Sequence, residues 1–277
     1  MPQNGIFLLF LAVLFLFSTQ ILAEESDTYL HLKPNNNVNK NKDLGDFSVS
    51  YFGESSNISI INFAGNYDKN VNGSVNVEAR QAVTQEFYRV QPDQYDFLVI
   101  FTKFPVDSGD AAAFNISYEN DVEGIGLPLF DNSLDMRSER LQATIDMTEL
   151  SDWEFNPGNI QFNFTTGVLL HEMMHRWGVR AKFQDKSGLI SDLTLGRDGA
   201  HWNYFLNSNA SVMYGSLWND LGGNQFQTTA VRNSLSPLDL YLMGFREPSS
   251  VPDFFYIENG TPGNRYNITT VPLTGIT

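Results

Sequence analysis

Two histidines four residues apart, with a glutamate directly after the first, are the residues of this sequence that most clearly suggest chemistry. His171 and His175 belong to "GVLLHEMMHRWG", residues 167–178. On a helix this spacing places both imidazoles on one face, one turn apart, where both can bind one metal ion. Glu172 projects at a neighbouring angle and can accept a proton from water at that ion. The pattern predicts a zinc site that hydrolyses an amide bond, and an amphipathic helix with two solvated histidines is the alternative.

The third metal ligand must come from elsewhere in the chain. Catalytic zinc typically has three protein ligands and one open position, and a chain without cysteine can supply only His, Asp or Glu. Three of the four histidines fall within 31 residues, and His201 in "GRDGAHWNYF" is the best candidate. His31 is expected at the surface. The sequence leaves three carboxylates as competing ligands, namely Asp198, Asp239 and Glu247.

Gly178 extends the motif to H-E-x-x-H-x-x-G, and the sequence then resembles the metzincin superfamily of zinc peptidases. In that superfamily the glycine lets the chain turn off the active-site helix towards a third histidine, usually at the position where this chain has Ala181. The sequence is more similar to the leishmanolysin type, in which an insertion separates the glycine from the third histidine. By that resemblance, residues 179–200 are the insertion and His201 is a zinc ligand. A glycine just past a helix end also suits a left-handed cap, which we expect at Gly178.

A second part of the resemblance lies after His201. Residues 209–215, "NASVMYG", resemble the methionine-containing turn that metzincins place beneath the metal, with Met213 as its methionine and Met243 as a rival. Tyr214 follows Met213 directly, whereas family members that use a tyrosine carry it one position later. The resemblance therefore implies a supporting role for Met213 and Tyr214, alongside Gly178.

A short capped helix is predicted over residues 236–245, "SPLDLYLMGF". Ser236 suits the N-cap, Pro237 the first turn and Gly244 the C-cap. This segment resembles the helix that closes the metzincin domain. That comparison implies a structural role for Asp239, close to the site.

The segments before the motif predict the elements that must position it. "FSVSYF" and "ISIINFAG" predict two strands, and the apolar spacing from Asn76 to Pro92 predicts a helix. "YDFLVIFTKF" (95–104) predicts a strand buried on both faces, and "RLQATIDM" (140–147) predicts another. We expect an α/β fold of the α+β zincin-like type. It would have a twisted mixed sheet, an active-site helix that carries HExxH and a smaller C-terminal subdomain.

One further segment, "GIGLPLF" (124–130), predicts a short edge strand, because Pro128 cannot donate to a central ladder. Zincins bind an extended substrate along an edge strand above the metal by main-chain pairing. By the same resemblance, residues 124–130 would have that role.

Charge and composition exclude some classes of function. The net charge is −15, which argues against binding to nucleic acid, whose phosphates require clustered Lys and Arg. The apolar content of 42% is that of a folded protein. We therefore expect no nucleic-acid partner, and the resemblance to metzincins implies a protein or peptide substrate.

The N-terminus predicts export. Residues 6–17 form an apolar stretch too short to span a bilayer comfortably, and Ala23 suits a cleavage site. No Lys or Arg precedes the stretch, so an uncleaved anchor that extends to Leu22 is the alternative. No stable membrane insertion is expected after removal of the signal. The predicted organisation is a signal peptide (1–23), a linker or pro-segment (24–45), a metallopeptidase domain (46–246) and the start of a C-terminal extension (247–277).

Together these patterns predict a secreted zinc endopeptidase, extracellular or periplasmic. Zn²⁺ would be held by His171, His175 and His201, with Glu172 as general base and then acid. Two alternatives remain open from the sequence. One is a non-catalytic zinc-bearing surface or adhesion module, and the other is a zinc hydrolase of a non-peptide amide.

Overall fold

A computed structural model describes most of the chain, namely residues 48–55, 58–68, 75–108, 111–185, 187–196, 199–223, 225–230 and 234–257, together with the secondary structure of residues 11–17, 270–272 and 275–276. The chain divides into two compact units. The N-terminal unit is Met1–Asp121 with Leu129–Glu154, and the C-terminal unit is Val122–Pro128 with Phe155–Thr277. The described residues form a mixed α/β fold with three α-helices and several small sheets, which confirms the predicted α/β class at this coarse level.

A six-stranded sheet is the main element of the N-terminal unit. Its strands are β1 (Leu11–Phe17), β2 (Ser48–Ser55), β3 (Ile58–Ala64), β4 (Phe97–Thr102), β5 (Phe114–Ser117) and β8 (Ala143–Glu149), and a separate pair is formed by β6 (Glu119–Asn120) and β7 (Phe130–Asp131). The strand order is β2-β3-β1-β4-β8-β5. β3, β1, β4 and β8 run parallel, whereas β2 and β5 pair antiparallel at the two edges. The predicted mixed sheet is therefore present in this unit.

Helix α1 (Val77–Val90) and strand β4 follow the sequence pattern closely. The Asn76 side chain caps α1 by accepting a hydrogen bond from the Ala79 amide at 3.1 Å. Gln91 is extended, as expected for a residue before proline, and ends the helix. All six residues of β4 are buried. The predictions of a helix from Asn76 and of a strand buried on both faces are confirmed.

The predicted edge strand at residues 124–130 is absent. Gly124 and Gly126 have positive φ angles of 84° and 86°, far from the extended values of a regular strand, and residues 123–127 form a series of bends. Only Phe130 of this segment is in a strand, the two-residue β7. The prediction was wrong because it counted apolar residues and gave too little weight to the two glycines. The substrate-binding role that depended on this strand is wrong with it.

The predicted signal segment overlaps a strand of the sheet. β1 pairs with β3 on one side and with β4 on the other. Cleavage after Ala23 would remove this strand, so β1 belongs to the uncleaved chain. Among the helices in the described part of the chain, none is both long enough and apolar enough to cross a bilayer.

The C-terminal unit carries helix α2 (Phe162–Met174) and a second six-stranded sheet. Its other elements are β9 (Phe183–Gln184), β10 (Ile190–Ser191), β11 (Trp202–Asn207), β12 (Tyr214–Gly222), β13 (Gln225–Ala230), α3 (Pro237–Leu242), β14 (Tyr256–Ile257), β15 (Thr270–Pro272) and β16 (Gly275–Ile276). β9 and β10 form a separate hairpin, and the larger sheet has the order β15-β13-β12-β11-β14-β16. Only the β11–β12 pair is parallel. Residues after 246, predicted to begin an extension, supply three strands to this sheet.

Helix α3 has the N-cap that the sequence predicts, whereas its C-cap is Met243, one residue before the predicted Gly244. The Ser236 side chain accepts from the Asp239 amide, while the Asp239 carboxylate accepts from the Ser236 amide, so the two form a reciprocal capping box. Gly244, with φ +76°, lies just past Met243 at the helix end. An apolar cluster packs α3 against α2 and β11, with Met174, Trp202, Leu206, Val212, Met213 and Leu242 among its buried members.

Candidate metal centre

The end of α2 carries two of the three clustered histidines. His171 lies within the helix and His175 follows its last residue, so their ring centroids are 4.9 Å apart. The His171 side chain is 12% exposed, and His175 is 6% exposed. The alternative of two solvated histidines on an amphipathic helix is therefore wrong.

His201 comes from a different part of the chain, and its ring lies beside the rings of His171 and His175. It immediately precedes β11 and is fully buried. Its Nε2 lies 3.1 Å from His171 Nε2, and its ring stacks on that of His171 at 4.9 Å. One ring nitrogen from each of His171, His175 and His201 lies within 4.8 Å of the other two. The structure thus brings together all three residues that the sequence analysis assigned to the metal.

Backbone hydrogen bonds close the insertion between Gly178 and His201. The Val179 amide donates to the Ala200 carbonyl at 3.2 Å, and the Gly196 amide donates to the His201 carbonyl at 2.8 Å. Val179 and Ala200 are both fully buried. Because the two ends of the insertion are joined in this way, His201 is fixed beside the end of α2 despite its distance along the chain.

The ring orientation of His171 is set by a backbone carbonyl. Nδ1 of His171 lies 2.7 Å from the Val212 oxygen, which can only accept, so Nδ1 carries the proton and donates. The same ring then presents Nε2 as a lone pair, towards His201. This is the tautomer in which metal-bound histidines are usually held, with the second nitrogen bonded to a carbonyl or carboxylate.

Burial keeps His175 neutral. Its pKa is lowered well below the ordinary value, first by burial and then by the neighbouring His171, His201 and Arg180, while a hydrogen bond to the Gly178 backbone acts in the opposite direction. A neutral imidazole is the form that binds metals. The surroundings therefore favour the ligating form of His175 over the imidazolium.

Glu172 places a carboxylate next to the cluster. It is 4% exposed, and its Oε1 lies 4.0 Å from His171 Nε2. Burying a carboxylate is costly unless it is paired with a cation or hydrogen-bonded. Glu172 is thus held at the edge of the three imidazoles rather than turned to solvent.

The donor set fits a zinc ion. Zinc binds histidine nitrogen at about 2.0–2.1 Å, so two nitrogens in a tetrahedral site lie roughly 3.3 Å apart. The 3.1 Å between Nε2 of His171 and Nε2 of His201 is close to that spacing. Three imidazole ligands would leave one tetrahedral position for water or substrate, which is the ligand count of a catalytic rather than a structural zinc site.

Asp239 is close to the centre without joining the three histidines. Its carboxylate accepts from Trp202 Nε1 at 2.7 Å, from Ser211 Oγ at 2.6 Å and from the Ser236 amide at 2.5 Å. Burial raises its pKa, and the bonds from Ser211, Trp202 and Ser236 oppose that rise. Asp239 thereby ties α3 to β11 and to the turn before β12, which is the structural role that the sequence comparison implied.

The other competing ligands are not in the cluster. Glu247 is exposed and precedes a short 3₁₀ helix at Pro248–Ser250. Asp198 and His31 lie outside the described residues. Among the described His, Asp and Glu residues, the metal-binding group consists of His171, His175 and His201 alone.

The predicted methionine turn lies against the centre through its backbone. Met213 is fully buried in the apolar cluster, and its carbonyl accepts from the Trp202 amide at 2.8 Å. The preceding residue, Val212, supplies the carbonyl that orients His171. Sequence analysis missed this contact because a backbone carbonyl has no signature in the residue type. It also missed Ser211, which donates to Asp239 and accepts from the Met213 amide at 2.8 Å.

Tyr214 covers one side of the histidine cluster. Its ring stacks on His201 with centroids 4.4 Å apart, and it lies 5.4 Å from the ring of His171. Its φ of +73° is uncommon for a residue with a side chain and turns the ring towards the histidines at the start of β12. The structure therefore places Tyr214 next to the imidazoles of His171 and His201, one position after Met213.

Gly178 serves a different purpose from the one predicted. Its φ is not in the left-handed region, so the expected left-handed cap is wrong. A Cβ at this position would lie 3.2 Å from Leu242 Cδ1 and 3.4 Å from Met174 Cε. Glycine is favoured here because the chain passes close to α3 and to the end of α2.

No protein-family model, curated protein sequence or solved structure matches this chain. The resemblance to metzincins therefore rests on the residues themselves and on their order along the chain.

Proposed function

We propose that the protein is a secreted zinc-dependent endopeptidase with a zincin-like fold of the metzincin type. The observation that carries the proposal is the convergence of three buried imidazoles with a buried carboxylate at their edge. His171, His175 and His201 would hold Zn²⁺, and Glu172 would act as the catalytic acid and base. The fold supports the proposal to the extent of a mixed sheet followed by a helix that carries the motif.

In the proposed enzyme, some groups of the chain hold the zinc ligands in the binding form, and Glu172 transfers the proton. Val212 keeps His171 in the tautomer that presents Nε2, and burial keeps His175 neutral. Glu172 Oε1 takes a proton from water and then delivers it to the departing amine nitrogen. Zinc, when bound, supplies a Lewis acid that lowers the pKa of water and polarises the scissile carbonyl. Tyr214 forms one side of the space where substrate would lie.

The position of Glu172 favours catalysis over a purely structural zinc site. Structural zinc sites are closed, with four protein ligands and no use for a proton acceptor. Here three imidazoles converge, and the carboxylate beside them is not needed as a ligand. The donor count and Glu172 together support a hydrolase.

The test is a pair of measurements, zinc content and caseinolytic activity, made on the full chain and on two variants. Glu172→Gln is expected to keep zinc and to lose activity by about 10²–10⁴-fold, the usual contribution of a general acid–base. His201→Ala is expected to lose both zinc and activity. Glu247→Gln and His31→Ala change the same residue types elsewhere and should match the unmodified protein in both measurements.

Any other result of these two measurements would show which part of the proposed function is wrong. If His201→Ala kept its zinc and its activity, the third ligand would be a carboxylate such as Asp198. If the unmodified protein bound zinc tightly and cleaved no member of a broad peptide library, the proposed peptidase would be wrong. That result would leave the non-catalytic zinc module or a hydrolase of a non-peptide amide.

A further inference from the structure

An open cavity in the C-terminal unit is lined by residues close along the chain to His201. Its volume is about 510 Å³, and the charged and polar side chains among its described lining residues are Arg180, Lys182, Asp192 and Asn203. Asn203 lies two residues after His201, and the cavity also reaches Gly199, two residues before it. Arg180 is close enough to His175 to lower the pKa of that histidine. The cavity is therefore built from the same insertion that delivers His201.

The charge of this region is opposite to that of the whole protein. Residues 176–186 contain four of the chain's 17 Lys and Arg residues and one Asp, which gives 4 − 1 = +3 in a protein whose net charge is −15. At physiological ionic strength, charges more than about 8 Å apart are largely screened. The charges nearest to a ligand in the cavity are thus those of Arg180, Lys182 and Asp192, two positive and one negative.

The acidic residue of the cavity does not neutralise its lysine. Within the described residues, no ion pair joins Asp192 to Lys182 at 4.0 Å or less. Lys182 and Asp192 are both exposed. The ammonium group of Lys182 is thus available to an anion that enters from solvent.

Glycines bring the backbone walls of the cavity into close contact. A Cβ at Gly126 would lie 2.1 Å from the Arg180 oxygen, and one at Gly196 would lie 2.7 Å from the Trp202 oxygen. Gly126 also has a φ of +86°, which favours glycine. The Gly196 amide donates to the backbone carbonyl of His201. These contacts fix Arg180 and the far wall relative to the candidate metal ligand.

We propose that this cavity is a specificity pocket for an anionic side chain, a carboxylate or a phosphate, near the bond that the protein cleaves. The inference rests on the proposed peptidase function and names its substrate class. Lys182 offers the three donors of its ammonium group on a flexible stem, and the guanidinium charge of Arg180 adds to the positive potential of the cavity.

A binding measurement tests the pocket without depending on catalysis. The probes are fluorescein-labelled, alanine-rich peptides that differ only at one central residue, which is Glu, Gln, Lys or phosphoserine. Fluorescence anisotropy is measured with zinc-loaded Glu172→Gln protein. The Glu peptide is expected to bind about tenfold more tightly than the Gln peptide, as is typical for a hydrogen bond to a charged group. The difference should shrink at high salt.

Two charge-reversal variants make the measurement specific. Lys182→Glu, in the Glu172→Gln background, should abolish the preference for Glu over Gln. Lys103→Glu makes the same change at an exposed lysine of the N-terminal unit and should preserve it. Equal affinities for the Glu and Gln peptides, or tightest binding of the Lys peptide, would overturn the proposal. The phosphoserine peptide distinguishes the two anions, since binding tighter than that of the Glu peptide assigns the pocket to phosphate.

Cleavage of the same peptides by the unmodified protein separates this inference from the proposed function. A kcat/KM for the Glu or phosphoserine peptide about tenfold above that for the Gln peptide supports both. Cleavage of all four peptides with equal kcat/KM overturns the anion pocket and leaves the peptidase standing. Selective binding of the anionic peptides without cleavage of any peptide supports the pocket and counts against the peptidase.

Discussion

The two units of the molecule bury polar groups in different ways. In the N-terminal unit, the fully buried Arg80 lies 2.9 Å from the Asp146 carboxylate, which also accepts from the Tyr67 hydroxyl at 2.9 Å. In the C-terminal unit, three imidazoles converge, and the group of described residues that could hold a metal contains no acidic residue. The first cluster therefore contains both signs of charge, whereas the second offers lone pairs to a cation.

This contrast separates a cluster that supports the fold from one arranged for a ligand. Arg80 bonds to the Tyr67 and Asn76 carbonyls as well as to Asp146, and its guanidinium lies 3.8 Å above the Tyr67 ring. Burial and the neighbouring Asp146 raise the pKa of the Tyr67 hydroxyl well above its usual value, so it remains a donor. The histidine cluster would instead gain a positive charge from the metal ion proposed to bind there.

The largest effect on stability is expected from breaking the Arg80–Asp146 pair. Arg80→Met leaves the buried Asp146 without its cation, and a change of this kind typically costs about 3–5 kcal/mol of unfolding free energy. Urea unfolding of the full chain measures the loss. Replacing both partners, Arg80→Met with Asp146→Leu, should recover part of it, because the uncompensated charge is then gone.

The exposed pair between Arg89 and Glu86 provides the matched control. Arg89 is 54% exposed on the same helix, so Arg89→Met should have a much smaller effect on the free energy of unfolding. Equal losses from Arg80→Met and Arg89→Met would show that the buried pair does not support the fold.

The second largest effect is the stabilisation expected when zinc binds the histidine cluster, and it is smaller than the loss from breaking the Arg80–Asp146 pair. Zinc that binds only the folded chain should stabilise it by about 2.7 kcal/mol when its free concentration is 100 times its Kd. Thermal unfolding with and without zinc measures the increment. His201→Ala should lose it, while His31→Ala should keep it. An increment that survives in His201→Ala would mean that zinc stabilises the chain from another site.

The sequence predicted those parts of the structure that depend on neighbouring residues. The helical spacing of His171 and His175, the helix that begins after Asn76, the N-cap of α3 at Ser236 and the continuous apolar run of β4 are local patterns, and each is present in the structure. His201 was identified because so few histidines compete with it. The proline in residues 124–130 was read correctly as unsuited to a central strand, but the positive φ of the two glycines was not anticipated.

The parts that sequence analysis missed depend on contacts between distant residues. Arg80 and Asp146 are 66 positions apart, and a charged residue on an amphipathic helix is ordinarily expected at the surface. The Val212 carbonyl lies 41 positions from His171, and every residue type has such a carbonyl. Most strands of the C-terminal sheet were also missed, because β11, β12 and β13 mix polar and aromatic residues without a regular alternation.

The smallest expected effect tests how the surrounding residues hold the histidine cluster. Ser211 Oγ donates to Asp239 at 2.6 Å and accepts from the Met213 amide at 2.8 Å. Ser211 and Met213 flank Val212, whose carbonyl orients His171. Ser211→Ala should therefore weaken zinc affinity by about tenfold, the lower end of the usual effect of residues that support metal ligands. Competition with a chromogenic chelator measures the affinity.

Ser216→Ala provides the control. Ser216 is also buried, on β12, and no hydrogen bond within the described residues joins it to Asp239. A purely structural role for Ser211 would lower the unfolding free energy in both the presence and the absence of zinc, with zinc affinity unchanged. The positioning role predicts instead that the larger change is in zinc affinity. Structural and positioning roles cannot be separated in this way in the N-terminal cluster, because Arg80 and Asp146 bind each other rather than an added ion.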